Sequence, residues 1–397
     1  MIFPGHMELF DIADYRERAM HRKMDYYAQH YPEQQFSVNQ LEFEILECIE
    51  RIREKEVLPF VDVIEKNSAS DARTSPTVDV PKVWCDFNEY GDYIITYDWN
   101  MAVKLGRYVE FIFGKPWTEL QISLRKNMGI AYKQYEKSIY DFPAFKKFDA
   151  CRVNLADYIR KMASWFIGLH ELAHIKNGHL YLIRAVNNKK KNISLDTRRA
   201  LELHADISAS VMLLNILTNW QKYVGVPQRI RQDNGKNPGI TYCDEIAYAA
   251  LAAYLALRCC LKHERWDEYT VCTHEFMAEG HPLTELRMAV IYNILLQGLM
   301  DLGTNREEKL IFASNFQRMI QQFEDFWFEN VAEEGEEQFF YKPTELLRTE
   351  AGKQYYHKLF DELIGLGDLL KEYTDHLVVV EGKWMDYETL PERMLWE

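Results

Sequence analysis

His170, Glu171 and His174 stand in the stretch FIGLHELAHIKNGHL as His-Glu-x-x-His. Imidazole is the commonest side-chain ligand for transition metals. Two imidazoles four residues apart share a helix face, one turn above the other. Their ring nitrogens can then meet one ion at about 2.0–2.1 Å. Glu171 lies about 100° round the same helix, too far round to ligate that ion but able to reach a water beside it. Two ligands and a base on one rigid rod are the parts of a metal-assisted hydrolase. The bland alternative is a helix with satisfied polar histidines. The apolar run from Trp165 to Leu169 places the rings in a buried setting, where each needs a partner.

Zinc in a catalytic site takes three protein ligands and leaves one position open. The segment RRALELHADISASVML supplies the candidate. Glu202 would complete a His-His-Glu set with His170 and His174. Asp206 is four residues further and shares the face of Glu202. It is placed to accept a hydrogen bond from the second ring nitrogen of a ligating histidine, which would fix that ring's tautomer and orientation. Ala209 and Leu213 lie on the same stripe, and acids on an otherwise apolar stripe are unusual without a role. His204 is two positions from Glu202 and so points off that face. It reads as structural. His179 follows Gly178 and reads as exposed.

The elements that must position these groups are legible from periodicity. Asn154 to Asn177 reads as one long helix, ended by Gly178, which tolerates the left-handed conformation after a helix end. A polar connector over 187–192 follows, and a second helix opens at Asp196 and runs to about Trp220. Further helices are expected over about 243–264, 282–300 and 306–330. Upstream, Ser37 caps a helix to Glu56. Short β-branched and aromatic runs between about 57 and 115 predict strands joined by hairpin-like turns, with a loop over 66–78. The last 60 residues read as mostly helical, with a late strand at His376 to Val380. The fold class is therefore α+β, mainly α, divided into an α/β part with a small sheet (1–150), a helical core (151–300) and a helical extension (301–397).

His-Glu-x-x-His followed on the next helix by Glu-x-x-x-Asp resembles the gluzincin metallopeptidases. The Glu-Leu-His-Ala-Asp form of residues 202–206 is similar to the branch that holds the membrane-bound CAAX prenyl proteases and the bacterial HtpX-like proteases. In that branch a His-Pro-x-x-x-x-Arg segment follows the metal helices, and His281, Pro282 and Arg287 match it. The resemblance spans residues 170 to 300 and implies a zincin helical core. It implies that His281 and Arg287 lie beside the zinc and help hold the substrate carbonyl and the developing oxyanion. This chain departs from the branch at His204, and no transmembrane helix is read from its sequence, so a prenylated membrane substrate is not expected. The phage-exclusion proteases of the Lit type are similar in kind.

The expected activity is a zinc endopeptidase. Zn²⁺ held by His170, His174 and Glu202 polarises a water, and Glu171 acts as general base and then as proton donor to the leaving amine. An edge strand from the 57–115 region would bind a peptide substrate backbone to backbone. Two alternatives stay open: a latent or inactive gluzincin-like interaction or sensor protein, and a protease aimed at one target. A regulatory protein partner fits the unexplained ends of the chain.

Composition narrows the partners. With 61 acids against 47 bases the net charge is −14, which opposes a nucleic-acid face and an anionic-lipid surface. An acidic balance favours basic or neutral substrates. The stretch from Ile246 to Leu257 is shorter than the roughly 20 apolar residues a bilayer needs. No signal peptide is read at the start of the chain. Seven scattered cysteines point to reduced thiols in a cytoplasmic setting. Cys259, Cys260, His263, Cys272 and His274 lie close in sequence but contain no Cys-x-x-Cys pair, and read as packing rather than a second metal site. Cys151 lacks the glycine-rich context of a deformylase-type ligand. No phosphate-binding glycine loop or Gly-x-Ser-x-Gly motif is present.

Overall fold

The computed structural model describes residues 5–30, 38–53, 58–66, 83–98, 101, 105–106, 150–188, 193–224, 249–257, 282–302, 305–330, 343–346 and 349–371. These are mainly helical, with one small three-stranded sheet. The chain forms two compact units, each discontinuous: residues 1–172 with 211–262, and residues 173–210 with 263–397. The sequence pattern instead divides the chain at 150 and 300.

In the first unit, helix α1 (Gly5–His30) packs on α2 (Gln40–Arg53), and α2 packs on strand β1 (Val61–Lys66). Strands β2 (Val83–Phe87) and β3 (Tyr93–Asp98) form the expected hairpin, antiparallel and in register from Phe87 opposite Tyr93 to Val83 opposite Tyr97. The expectation of hairpin turns fails for β1, which pairs with β3 in parallel, so β3 is central. Parallel neighbours need a long connection, and the chain between β1 and β3 includes β2 itself. The cap of α2 is the Asn39 side chain, whose Oδ1 accepts from the Glu42 amide at 3.0 Å. Ser37, the predicted cap, lies outside the described residues.

Charge is buried here in paired form. Arg160 grips Glu44 with two nitrogens at 2.8 and 2.5 Å. Glu47 accepts from Arg16 at 3.0 Å, Arg51 at 3.1 Å and Lys161 at 3.2 Å. Lys23 bonds Glu42, the Val63 carbonyl at 2.8 Å and Asp62 at 2.9 Å. Buried ions persist only with such partners.

Helix α3 (Ala150–Lys176) carries the His-Glu-x-x-His motif. Its side chains from Ile159 to Leu169 are buried on almost every face, as a core helix requires. Gly168 lets it approach α2: a Cβ at this position would stand 2.6 Å from Cγ2 of Ile45. Overpacking of that kind is destabilising.

The second unit begins at the end of α3. Gly178 has φ 74°, and α4 (His179–Asn188) starts immediately after it. Helix α5 (Leu195–Val224) follows, capped by Ser194, whose Oγ accepts from the Thr197 amide at 3.0 Å. By length and composition the stretch Leu195–Leu217 would suffice to cross a membrane, but most of it is packed inside the protein. Helix α6 (Thr284–Leu302) packs on α7 (Arg306–Asn330) and on the short α8 (Pro343–Leu346). Glu324 of α7 binds the Thr344 hydroxyl at 2.5 Å. Helix α9 (Glu350–Lys371) is tied to the start of α5 by Glu362 to Thr197 at 2.6 Å and Lys358 to Asp196 at 2.8 Å. A further helical segment covers 249–257, inside the predicted 243–264 helix. The predicted strand at His376 to Val380 lies outside the described residues.

Candidate metal centre

His170 and His174 occupy successive turns of α3, and Glu202 lies on α5. One donor atom from each comes within 4.8 Å of the others. His174 offers Nε2, which stands 3.5 Å from Oε1 of Glu202. Two donors at about 2.0–2.1 Å from a tetrahedral zinc are separated by about 3.3–3.4 Å, from the tetrahedral angle alone. The His174–Glu202 spacing is therefore close to what a shared ion would set, while His170 lies within 4.8 Å of both. His170 is half-buried, while Glu171 and His174 are buried. Glu202 retains 17% of its side-chain exposure, so the group has one wetter side.

The neighbours of this group differ from those the spacing suggested. Asp206 is fully buried, and its two oxygens accept from Arg287: Nε at 2.5 Å and Nη2 at 2.8 Å. The ring nitrogen of His174 that faces away from Glu202 is taken by His179 instead, Nδ1 to Nδ1 at 2.9 Å. His179 was expected to be exposed. It is fully buried, because the turn at Gly178 starts α4 back against the end of α3 rather than releasing the chain to solvent. His204 does point off the face of Glu202, but onto another ligand-side group: its Nδ1 stands 3.0 Å from Nε2 of His179. Three buried rings thus run in series from His174 to His204.

Arg287 enters from the first turn of α6. Besides gripping Asp206, its Nη2 lies 3.7 Å from Oε2 of Glu202. It therefore stands next to the candidate third ligand, with its guanidinium engaged by two carboxylates of α5. His281 lies outside the described residues, as do Cys259, Cys260, His263, Cys272 and His274. Asn177, which belongs to neither motif, ties the end of α3 to α5 through its Nδ2 and the Ser208 hydroxyl at 2.8 Å. An amide at the end of a long apolar helix was the available signal.

No family model, curated protein or solved structure matches this chain. The reading of the site rests on the chemistry and spacing of its own residues. A donor set of two imidazoles and one carboxylate suits zinc.

Proposed function

We propose that the chain is a zinc-dependent endopeptidase built on a gluzincin-like core. The observation that carries this reading is the convergence of His170, His174 and Glu202, with the 3.5 Å separation between His174 and Glu202 that a shared ion would require. Bound there, zinc would supply a Lewis acid that polarises a peptide carbonyl and acidifies a water. His170 and His174 present ring nitrogens from one rigid helix, and Glu202 adds a carboxylate from the next. Glu171 takes the proton of the attacking water and returns it to the leaving amine. Arg287 pairs with Asp206 in the interior through Nε and Nη2, and its Nη2 also lies near Glu202. By resemblance, His281 joins Arg287 in steadying the oxyanion. The acidic chain favours neutral or basic peptide substrates. The seven scattered cysteines suit a reducing, cytoplasmic compartment.

A second reading has its own support. The guanidinium of Arg287 lies within ion-pair reach of Glu202, and a cation there competes with a metal for the same carboxylate. A latent protein awaiting a partner would carry such a contact.

Metal analysis and cleavage assays on the parent and Glu171→Gln chains test both. The protease reading expects about one zinc per chain in each protein. It also expects cleavage of unfolded casein or of lysate proteins to fall about 10²–10⁴-fold in the variant. Terminal-residue proteomics showing one cut in a lysate, with casein intact, would indicate a single-target protease. Zinc without turnover on any peptide would favour the latent form. Equal cleavage by parent and variant would remove Glu171 as the base, and a parent that takes up no zinc would end the metalloprotease reading.

A further inference from the structure

We propose that His179 is the positioning residue of His174, and that with His204 it forms a chain of three rings whose one allowed hydrogen-bond polarity aims Nε2 of His174, unprotonated, at the metal. The inference rests on the zinc site proposed above and goes further, to residues that the His-Glu-x-x-His and Glu-x-x-x-Asp pattern does not specify.

Each neutral imidazole carries a single N–H. Nε2 of His174 faces Glu202 at 3.5 Å, and Nδ1 faces Nδ1 of His179 at 2.9 Å. For Nε2 to offer a lone pair to an ion, the proton of His174 must sit on Nδ1, which then donates to His179. Nδ1 of His179 must accept, so its own proton sits on Nε2. That nitrogen is 3.0 Å from Nδ1 of His204, which must accept in turn. The proton of His204 is thereby driven to its Nε2. Only one other neutral arrangement exists, with every donor and acceptor reversed, and it puts a proton on the nitrogen that would bind the ion. All three rings are buried, so water is a poor substitute for any of these bonds. Partners of a ligating histidine commonly set its tautomer and ring orientation, and their loss costs about 10–100-fold in metal affinity. A histidine-to-histidine pair does this here, while Asp206 is committed to Arg287.

The experiment uses the full chain, zinc titrated against a chromophoric chelator, and two variants. Leucine in His179→Leu fills much of the ring's space but offers no acceptor. Asparagine in His179→Asn is smaller but carries a carbonyl close to the position of Nδ1. The proposal expects the folded His179→Leu protein to bind zinc about 10–100-fold more weakly than the parent, and His179→Asn to recover most of that affinity despite the smaller side chain. A packing role predicts the opposite order. Parent-like affinity in His179→Leu, or equal weakness in the two variants, overturns the proposal while leaving the metal site standing. A parent that binds no zinc overturns the site and the proposal together. Should His179→Leu not fold, ¹⁵N spectra of the zinc-loaded parent decide: His179 and His204 must both be protonated at Nε2, and an Nδ1 proton on either ring refutes the chain.

Discussion

Glu44 and Glu202 are both acids on long helices facing cationic or imidazole neighbours, yet they are held in opposite ways. Glu44 is completely buried and gripped by two nitrogens of Arg160 at 2.8 and 2.5 Å. Glu202 keeps partial exposure and meets His174 at 3.5 Å and Arg287 at 3.7 Å. The first geometry spends the carboxylate on holding a helix in place. The second keeps it near its neighbours at distances where an ion can still enter. Asp206, one turn from Glu202, belongs with Glu44, since Arg287 grips it with the same two-pronged geometry. The lesson is that neighbouring acids of one helix can be divided between scaffold and chemistry, and that the tightness of their partners tells which is which.

Breaking the tight pair should have the larger effect on stability. Arg160→Met removes the cation that grips Glu44, leaving the buried carboxylate with the Gln40 amide at 2.8 Å, and should cost about 3–5 kcal/mol in chemical denaturation, as removal of one partner of a buried ion pair does. Adding Glu44→Met should restore most of it. Recovery would confirm that the loss came from the stranded charge, whereas no recovery would mean that Arg160 acts mainly through packing.

Acid sharpens the comparison next. Burial pushes the Glu44 carboxyl up, but Arg160, the Gln40 amide and Lys161 together outweigh this and hold it below its usual 4.5. Burial likewise raises Glu47, and Lys161, Arg51 and Arg16 together carry it below the usual value. A carboxyl depressed on folding contributes stability above about 4.5 that is lost as pH falls through its folded value. Glu42 runs the other way: burial raises it, Lys23 offsets this only in part, and its contribution is present below 4.5 and lost as pH rises through its folded value. Two depressed groups against one raised group predict a urea midpoint that drops as pH goes well below 4.5. Glu44→Gln should start lower at neutral pH and fall less steeply. Parallel curves for parent and variant would place the acid sensitivity elsewhere.

The smallest stability effect should come from the loose acid. Glu202→Gln is expected to shift stability by less than about 1 kcal/mol, the range of partly exposed pairs, while zinc retention falls to background in metal analysis. A large loss of stability with zinc retained would place Glu202 with Glu44, as scaffold.

The helices and the three candidate ligands were legible because periodicity and four-residue spacing are properties of one helix at a time. Helix α7 begins and ends where the pattern puts it, at 306 and 330. The spacing of His170 from His174, and of Glu202 from Asp206, states which groups share a face. It does not state what lies against that face. His179 was misplaced for this reason: a glycine signals a helix end, but not whether the chain after it turns inward. His204 lies two positions from Glu202, and its partner comes from another helix and leaves no trace in local spacing. The parallel pairing of β1 with β3 was hidden in the same way, since alternation identifies strands without naming their neighbours.

Gly178 has a consequence that reaches beyond the end of a helix. In an uninterrupted helix, residues five apart point about 140° away from each other, so the rings of His174 and His179 could not touch. They meet because the backbone bends at a residue with φ 74°. A bulkier residue at that corner would leave the ligand motif intact letter for letter while pulling its third-row support out of alignment. Two sequences with identical metal-binding signatures can therefore differ in how well they grip an ion, and the difference would sit in a position with no side chain at all.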